Sequence, residues 1–235
     1  MTPIDLNLVS YLPRFREGFD VGAERFLALL QILGALPPLT QGWRVLDPTS
    51  GYYLTLWEQR AAFLEFSRAI NAVSDDYYIF ASAATDPRIY DVFLRWNRPE
   101  AFVDLLSLDL WFAPGGPESL EAMMRRVIAA VVAWERPQHL AIMPTAYRRD
   151  HHPFDRTRTG IGWMGWLPFA LAPGDVPEAE LVEPLYGGTL VASQREFWQT
   201  DDAAAVARAQ DLDLRLNLIG VLPTILELRR GDWGR

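Results

Sequence analysis

The 235-residue chain contains no cysteine. Disulfides, thiol nucleophiles and cysteine-ligated metals are therefore excluded. Histidine is almost as scarce, with only His139, His151 and His152 present. No run of about 20 apolar residues occurs, as a bilayer span would need. The most apolar stretch, Val127 to Trp134, is cut short by Glu135-Arg136-Pro137. The segment Met1 to Leu6 lacks a basic region followed by an apolar one, so no signal peptide is read and a cytoplasmic location is expected. Positive charge is also in deficit: 22 basic against 30 acidic residues leave −8. That balance argues against direct nucleic-acid binding and suits a basic partner better.

What is present fits a full-sized globular core. Apolar residues make up 50% of the chain and charged residues 22%. Basic charge is carried by arginine, and the nine tryptophans and 17 prolines are the unusual counts. Residues 6–12 read as an opening strand. A helix follows Gly18 to Gly22, with Ala23, Phe26, Leu27, Leu30 and Leu33 near a 3.6-residue period and Pro37-Pro38 as its stop. Residues 43–46 suit a short strand and 47–51 a turn. A second helix is expected from Leu54 or Thr55, burying Leu56, Phe63, Phe66, Ile70 and Val73.

Alternation by two over residues 89–96 and 102–112, around Asn97-Arg98-Pro99-Glu100, predicts an antiparallel hairpin. Gly115-Gly116-Pro117-Glu118 opens a helix whose stripe Leu120, Met124, Val127, Val131 and Trp134 is broad enough to bury against a sheet. Residues 139–143 read as a strand, 145–159 as a polar loop and 160–171 as an irregular strand. Within it Trp163 and Trp166 need a bend near Gly165. An acidic loop over 174–183, a strand over 187–191 and a helix over 201–219 complete the chain. Thr200 or Asp201 is the expected cap and Gly220 the terminator of that helix. Repeats and heptads are absent. The fold class is α+β, a mixed or mainly antiparallel sheet packed against several helices, in one domain over 1–235.

Chemical motifs are weak. Asp150-His151-His152 with nearby Asp155 is the best imitation of a metal or acid–base site, yet further ligands have no characteristic spacing and no His-Glu-x-x-His occurs. Ser50, Ser82 and Ser193 lack a nucleophile motif, and Asp75-Asp76 also explains itself as a polar helix end. Residues 160–165 suggest a glycine-rich loop, but no Gly-Lys-Ser/Thr follows and Trp163 is too bulky for a phosphate cradle. No metal, cofactor or catalytic residue is assigned. Trp163, Trp166 and Trp198 are read as core anchors, with interface hot spots as the alternative. Arg148, Arg149, Arg156 and Arg158 could meet an acidic partner surface.

The closing pattern Gly187-Gly188-Thr189-Leu190-Val191-Ala192-Ser193, the helix from Asp201-Asp202 to Leu218-Ile219-Gly220-Val221-Leu222-Pro223, and Gly162-Trp163-Met164-Gly165-Trp166 resemble the bacterial Imm52-type immunity proteins. The similarity is clearest over residues 160–223. It implies a non-enzymatic protein, encoded beside a polymorphic toxin often delivered by type VI secretion. Such a protein neutralises that toxin, expected to be a nuclease, by protein–protein inhibition. The family supplies no site residues to transfer. From charge, the expected contacts are Asp175, Glu178, Glu180, Glu183, Asp201 and Asp202, with Trp198 beside them. The alternatives are a hydrolase or metal-dependent enzyme around Asp150 to His152, and a structural subunit of a bacterial complex. A deep pocket holding His151 or His152 with carboxylates favours the enzyme; a flat acidic or aromatic face favours inhibition.

Overall fold

The computed structural model describes residues 4–37, 39, 42–47, 50–73, 76–85, 88–99, 101, 103–112, 119–153 and 157–233. Among them, strands β1 (Ile4–Pro13), β2 (Arg44–Leu46), β3 (Tyr53–Thr55), β4 (Tyr77–Thr85), β5 (Arg88–Trp96), β6 (Val103–Phe112), β7 (His139–Pro144), β8 (Met164–Leu167), β9 (Leu181–Leu185) and β10 (Gly188–Ala192) form one sheet. Its order is β3-β2-β4-β5-β6-β1-β7-β8-β10-β9, and every pairing of named strands is antiparallel. The helices are α1 (Phe19–Gly34), α2 (Arg60–Ile70), α3 (Leu120–Trp134), α4 (Ala203–Leu218) and α5 (Ile225–Arg230). The expected α+β architecture with a mainly antiparallel sheet is what the chain adopts.

Strand alternation sets the layers. Leu6, Leu8 and Leu12 of β1, Leu106, Leu108 and Leu110 of β6, and Val92, Leu94 and Trp96 of β5 all point to one face and are fully buried. Helix α1 covers that inner face so closely that a Cβ on Gly22 would stand 2.2 Å from the Trp96 indole. Helices α2 and α3 pack beside α1, with Arg60–Glu24 and Arg68–Asp20 ion pairs along the first seam. The Trp43 indole N–H donates to the Leu30 carbonyl at 3.1 Å, tying β2 to α1. The hairpin joins β5 to β6 as expected, with Asn97 at φ 57°.

Several boundaries differ from the sequence reading. The second helix starts at Arg60, because 53–55 pair with β2 as β3, and Val73 is 98% exposed beyond the helix end. Asn71, just past the helix end, is buried: its amide donates to the Ser67 and Tyr78 carbonyls and its oxygen accepts the Tyr78 N–H, which launches the unforeseen β4. The strand expected over 160–171 contracts to β8, and Trp163 lies just outside it, so both indoles bury without sharing a strand face. Gly160, Gly162 and Gly165 stand at Gly-x-Gly-x-x-Gly spacing. They lead into a strand, however, whereas a dinucleotide loop leaves a strand and opens a helix. Residues 181–183 of the expected acidic loop belong to strand β9, and 147–151 of the expected polar loop form a π-helical turn.

Ser119 caps α3, accepting the Ala122 N–H at 3.2 Å, while Pro117 and Glu118 lie outside the described residues. Asp202, not Thr200 or Asp201, caps α4. Gly220 has φ 74°, as its terminator role requires. Helix α5, also unforeseen, carries a Thr224/Glu227 capping box and ends on Gly231 at φ 68°. Asp75, Glu100, Phe102, Asp155 and Arg156, all singled out in the sequence, also lie outside the described residues.

Candidate functional site

The opposite face of the sheet divides in two. Across β4, β5 and β6 its side chains are Tyr78, Phe80, Phe93, Arg95, Leu105 and Ser107, all half-buried, with Asp91, Asp109 and Trp111 exposed. None of these side chains is buried, as a helix packed over them would make them. Over β7 and β8 the same face is covered by the π-helical turn, by α4 and by residues 157–163. The boundary between the halves runs along β1 and β7.

Asn7 of β1 organises that boundary. Its amide nitrogen donates to Ser107 Oγ at 3.2 Å and to Asp109 Oδ1, and its oxygen accepts from Arg148 Nη1 at 2.6 Å. Asp5 Oδ1 accepts the Thr145 hydroxyl at 2.7 Å. Partial desolvation beside Asn7 raises the Asp109 carboxyl above its ordinary range, and the neighbouring charges of Asp91 and Asp5 add to the rise. Asp5, Asp91 and Asp109 therefore form one acidic patch on the uncovered face, with Arg148 beside it.

A cavity of about 460 Å³ opens at this boundary. Its floor is Val9 and Tyr11 of β1 with His139, Ala141 and Met143 of β7; its walls come from the π-helical turn, from residues 158–160 and from Ile225. The His139 ring stands 6.2 Å from the Tyr11 ring and is 1% exposed. Neither ring nitrogen has a hydrogen-bond partner. Burial, helped by nearby His152, drives its pKa down to about 3, so His139 is a neutral imidazole with an unused donor and an unused acceptor. Among the described lining residues, three arginines, Arg148, Arg149 and Arg158, surround this floor with one carboxylate, Asp150. Arg149 pairs with Asp150 at 2.7 Å. Arg148 has no carboxylate within ion-pair distance among the described residues.

Behind the wall lies Asp213 of α4, completely buried. It accepts the Ile161 N–H at 2.6 Å, the Gly162 N–H at 3.3 Å and the Tyr147 hydroxyl at 3.0 Å. Burial raises its carboxyl pKa despite those donors and the nearby His152. A Cβ on Gly160 would fall 2.4 Å from His152 Nε2 and 2.6 Å from Asp213 Oδ2, so the imidazole and carboxylate converge on that glycine. The described residues contain no group of three metal-ligating side chains.

The expected contact residues lie toward the β9 edge and α4, and most are engaged within the chain. Asp175 Oδ2 accepts the Ala172 N–H, Glu178 pairs with Arg215 at 3.9 Å, Glu180 accepts the Arg195 N–H and Glu183 pairs with Arg125. Asp202 binds the first turn of α4, and Asp201 is exposed. Trp198 is buried edge-on against Tyr147 at 5.3 Å, and with Trp163 and Trp166 it belongs to the core. The sequence reading missed Asn7, Tyr11, His139 and Asp213. It did catch the inward half of the β5–β6 alternation; the complementary residues are the open face.

The comparisons concern the fold. The chain shares it with the Pseudomonas aeruginosa T6SS protein PA0821, at a TM-score of 0.53 over 93% of this chain and 74% of that one. Identity is 10%, so the likeness is one of architecture. No family model matches the chain, and no curated protein matches it. No described helix is long and apolar enough to cross a membrane.

Proposed function

We propose that this chain is an immunity protein of the Imm52 type, acting in a type VI secretion setting in the cytoplasm, that binds and neutralises a cognate protein toxin. The observation carrying this reading is the uncovered sheet face on β4, β5 and β6. Aromatic and arginine side chains there, mixed with carboxylates, have the make-up of a protein interface. The fold shared with a type VI secretion protein and the sequence resemblance support it independently.

A nuclease partner fits the charge pattern of that face. Such an enzyme surrounds catalytic carboxylates with basic surface that attracts phosphate. The patch of Asp5, Asp91 and Asp109 matches the basic surround, and the arginines by the cavity match the carboxylates. Asp201, exposed at the start of α4, remains available as an outlying contact.

The test is coexpression with the toxin encoded by the neighbouring gene, followed by pull-down. Wild type should protect and co-purify. Phe93→Arg combined with Trp111→Arg should lose both, while Trp57→Arg, at another exposed tryptophan, should lose neither. Equal protection by all three proteins would remove the open face from the interface, and failure of wild type to bind would remove the function.

One observation favours a second reading, a hydrolase. The cavity does hold His152 and Asp150 together, with Asp213 against the histidine. That reading requires a turnover that His152→Ala abolishes while toxin binding is retained.

A further inference from the structure

The open face accounts for Phe93 and Trp111 but not for the cavity at its border. A fully buried imidazole with neither nitrogen bonded is costly, since each unmatched polar atom forfeits the hydrogen bond it had in water. Folding gains nothing evident from it: its strand neighbours on the same face are Ala141 and Met143, and an apolar side chain would suit that row. A ligand that seats on this floor would give the unmatched ring a purpose.

The walls define what the ligand must be. Val9, Ala141, Met143 and Ile225 are apolar. Arg148 brings a positive charge whose described hydrogen bond goes only to the neutral amide oxygen of Asn7. The described lining carries net positive charge although the whole chain carries −8. A group that satisfies both features has a negative oxygen pair for the guanidinium and a short hydrocarbon stem for the apolar wall. An inorganic oxyanion would meet the first and waste the second.

We propose that this cavity is a carboxylate-binding site, occupied in the complex by an acidic side chain of the bound toxin. The choice of occupant rests on the function proposed above, because the cavity borders the same sheet face. Arg148 engages the carboxylate, His139 supplies the hydrogen bond at the floor, and Val9 and Met143 contact the stem. Docking thereby buries Arg148, which is exposed in the free protein, and the pair it forms becomes the central anchor of the interface.

Glutarate serves as the probe in the free protein, followed by isothermal titration and by the His139 ring resonances. Wild type should bind it saturably, with Arg148→Gln and His139→Leu each weakening it at least tenfold while thermal melts confirm folding. Inorganic phosphate should compete poorly. The absence of saturable binding, or phosphate competing as well as glutarate, overturns the carboxylate site. Against the toxin, the same two variants should lose at least tenfold in affinity. Unchanged toxin affinity in variants that no longer bind glutarate overturns the toxin as source and leaves a free carboxylic acid as the ligand. If wild type binds glutarate but forms no toxin complex, the immunity function fails and the cavity chemistry stands.

Discussion

Replacing His139 by leucine should stabilise the protein, an unusual expectation for a residue 1% exposed. Leucine has a similar volume and no polar atom to leave unmatched. Removing an unsatisfied buried donor and acceptor recovers on the order of 1–2 kcal/mol at pH 7.5. For a chain of this size that corresponds to a Tm increase of about 2–8 °C. The effect grows as pH falls. Unfolded histidine titrates near 6.5, whereas the folded side chain holds out to about 3. Between these values the unfolded chain takes up a proton at this position and the folded chain does not, so stability falls with pH. From pH 7.5 to 5.0 this one group costs the wild type about 2 kcal/mol, which His139→Leu should not lose. Urea unfolding of both proteins at the two pH values measures the difference of differences, in which every other titrating group cancels. A variant that is less stable at pH 7.5 and keeps the wild-type pH slope would refute the reasoning, because His139 would then be packed and bonded for stability.

Asp104 should act in the opposite sense. Burial raises its carboxyl to about 6 despite the Phe15 and Asn97 N–H groups and Arg25, so the folded chain keeps a proton that the unfolded chain has already released. The stability it contributes is fully present below about pH 4 and is lost as pH rises to 6, a change of about 3 kcal/mol that Asp104→Asn should flatten in the same urea experiments. Gly22→Ala should cost roughly 1–3 kcal/mol, because the added methyl meets the Trp96 indole at 2.2 Å; the thermal melt followed by tryptophan fluorescence reads it. Asp202→Ala removes the acceptor of the Ala204 and Ala205 N–H groups and should cost about 1 kcal/mol by urea unfolding, with Asp201→Ala near zero.

How much of this was legible depended on how local each signal is. The β5–β6 hairpin and α3 announce themselves through period and punctuation within a dozen residues, and their burial follows the pattern. Strand β4 does not: Phe80-Ala81-Ser82-Ala83 offers little contrast between its faces, and the strand is defined by β5 beside it and by the Asn71 clamp before it. Helix α5 has six residues, too few for a period, and only the Thr224-x-x-Glu227 box marks it. The cavity was out of reach for a different reason. Its floor comes from β1 and β7 and its walls from Thr145, residues 148–150, His152, residues 158–160 and Ile225, so no spacing along the chain connects His139 to Tyr11 or Arg148. Net charge misled in the same way. It drew attention to the carboxylates of 175–183, whose structural partners are Ala172, Arg215, Arg195 and Arg125 of the same chain.

A total of −8 and a face with adjacent acidic and cationic regions make separable demands on binding kinetics. Exposed charge at a rim attracts a partner across the solvent and is screened once the Debye length falls to a few ångströms. A charge desolvated at the centre of an interface acts after contact, on dissociation. Asp91 and Asp109 are exposed on the open face, whereas Arg148 borders a cavity that docking would close. Asp91→Asn with Asp109→Asn should therefore slow toxin association severalfold at about 0.05 M salt and have little effect near 1 M, with dissociation unchanged. Arg148→Gln should accelerate dissociation at least tenfold at either salt concentration and leave association nearly unaltered. Stopped-flow association and competitive dissociation separate the two rates. Equal loss of association in both variants would mean that Arg148 remains solvated in the complex, and the cavity would then lie outside the anchored part of the interface.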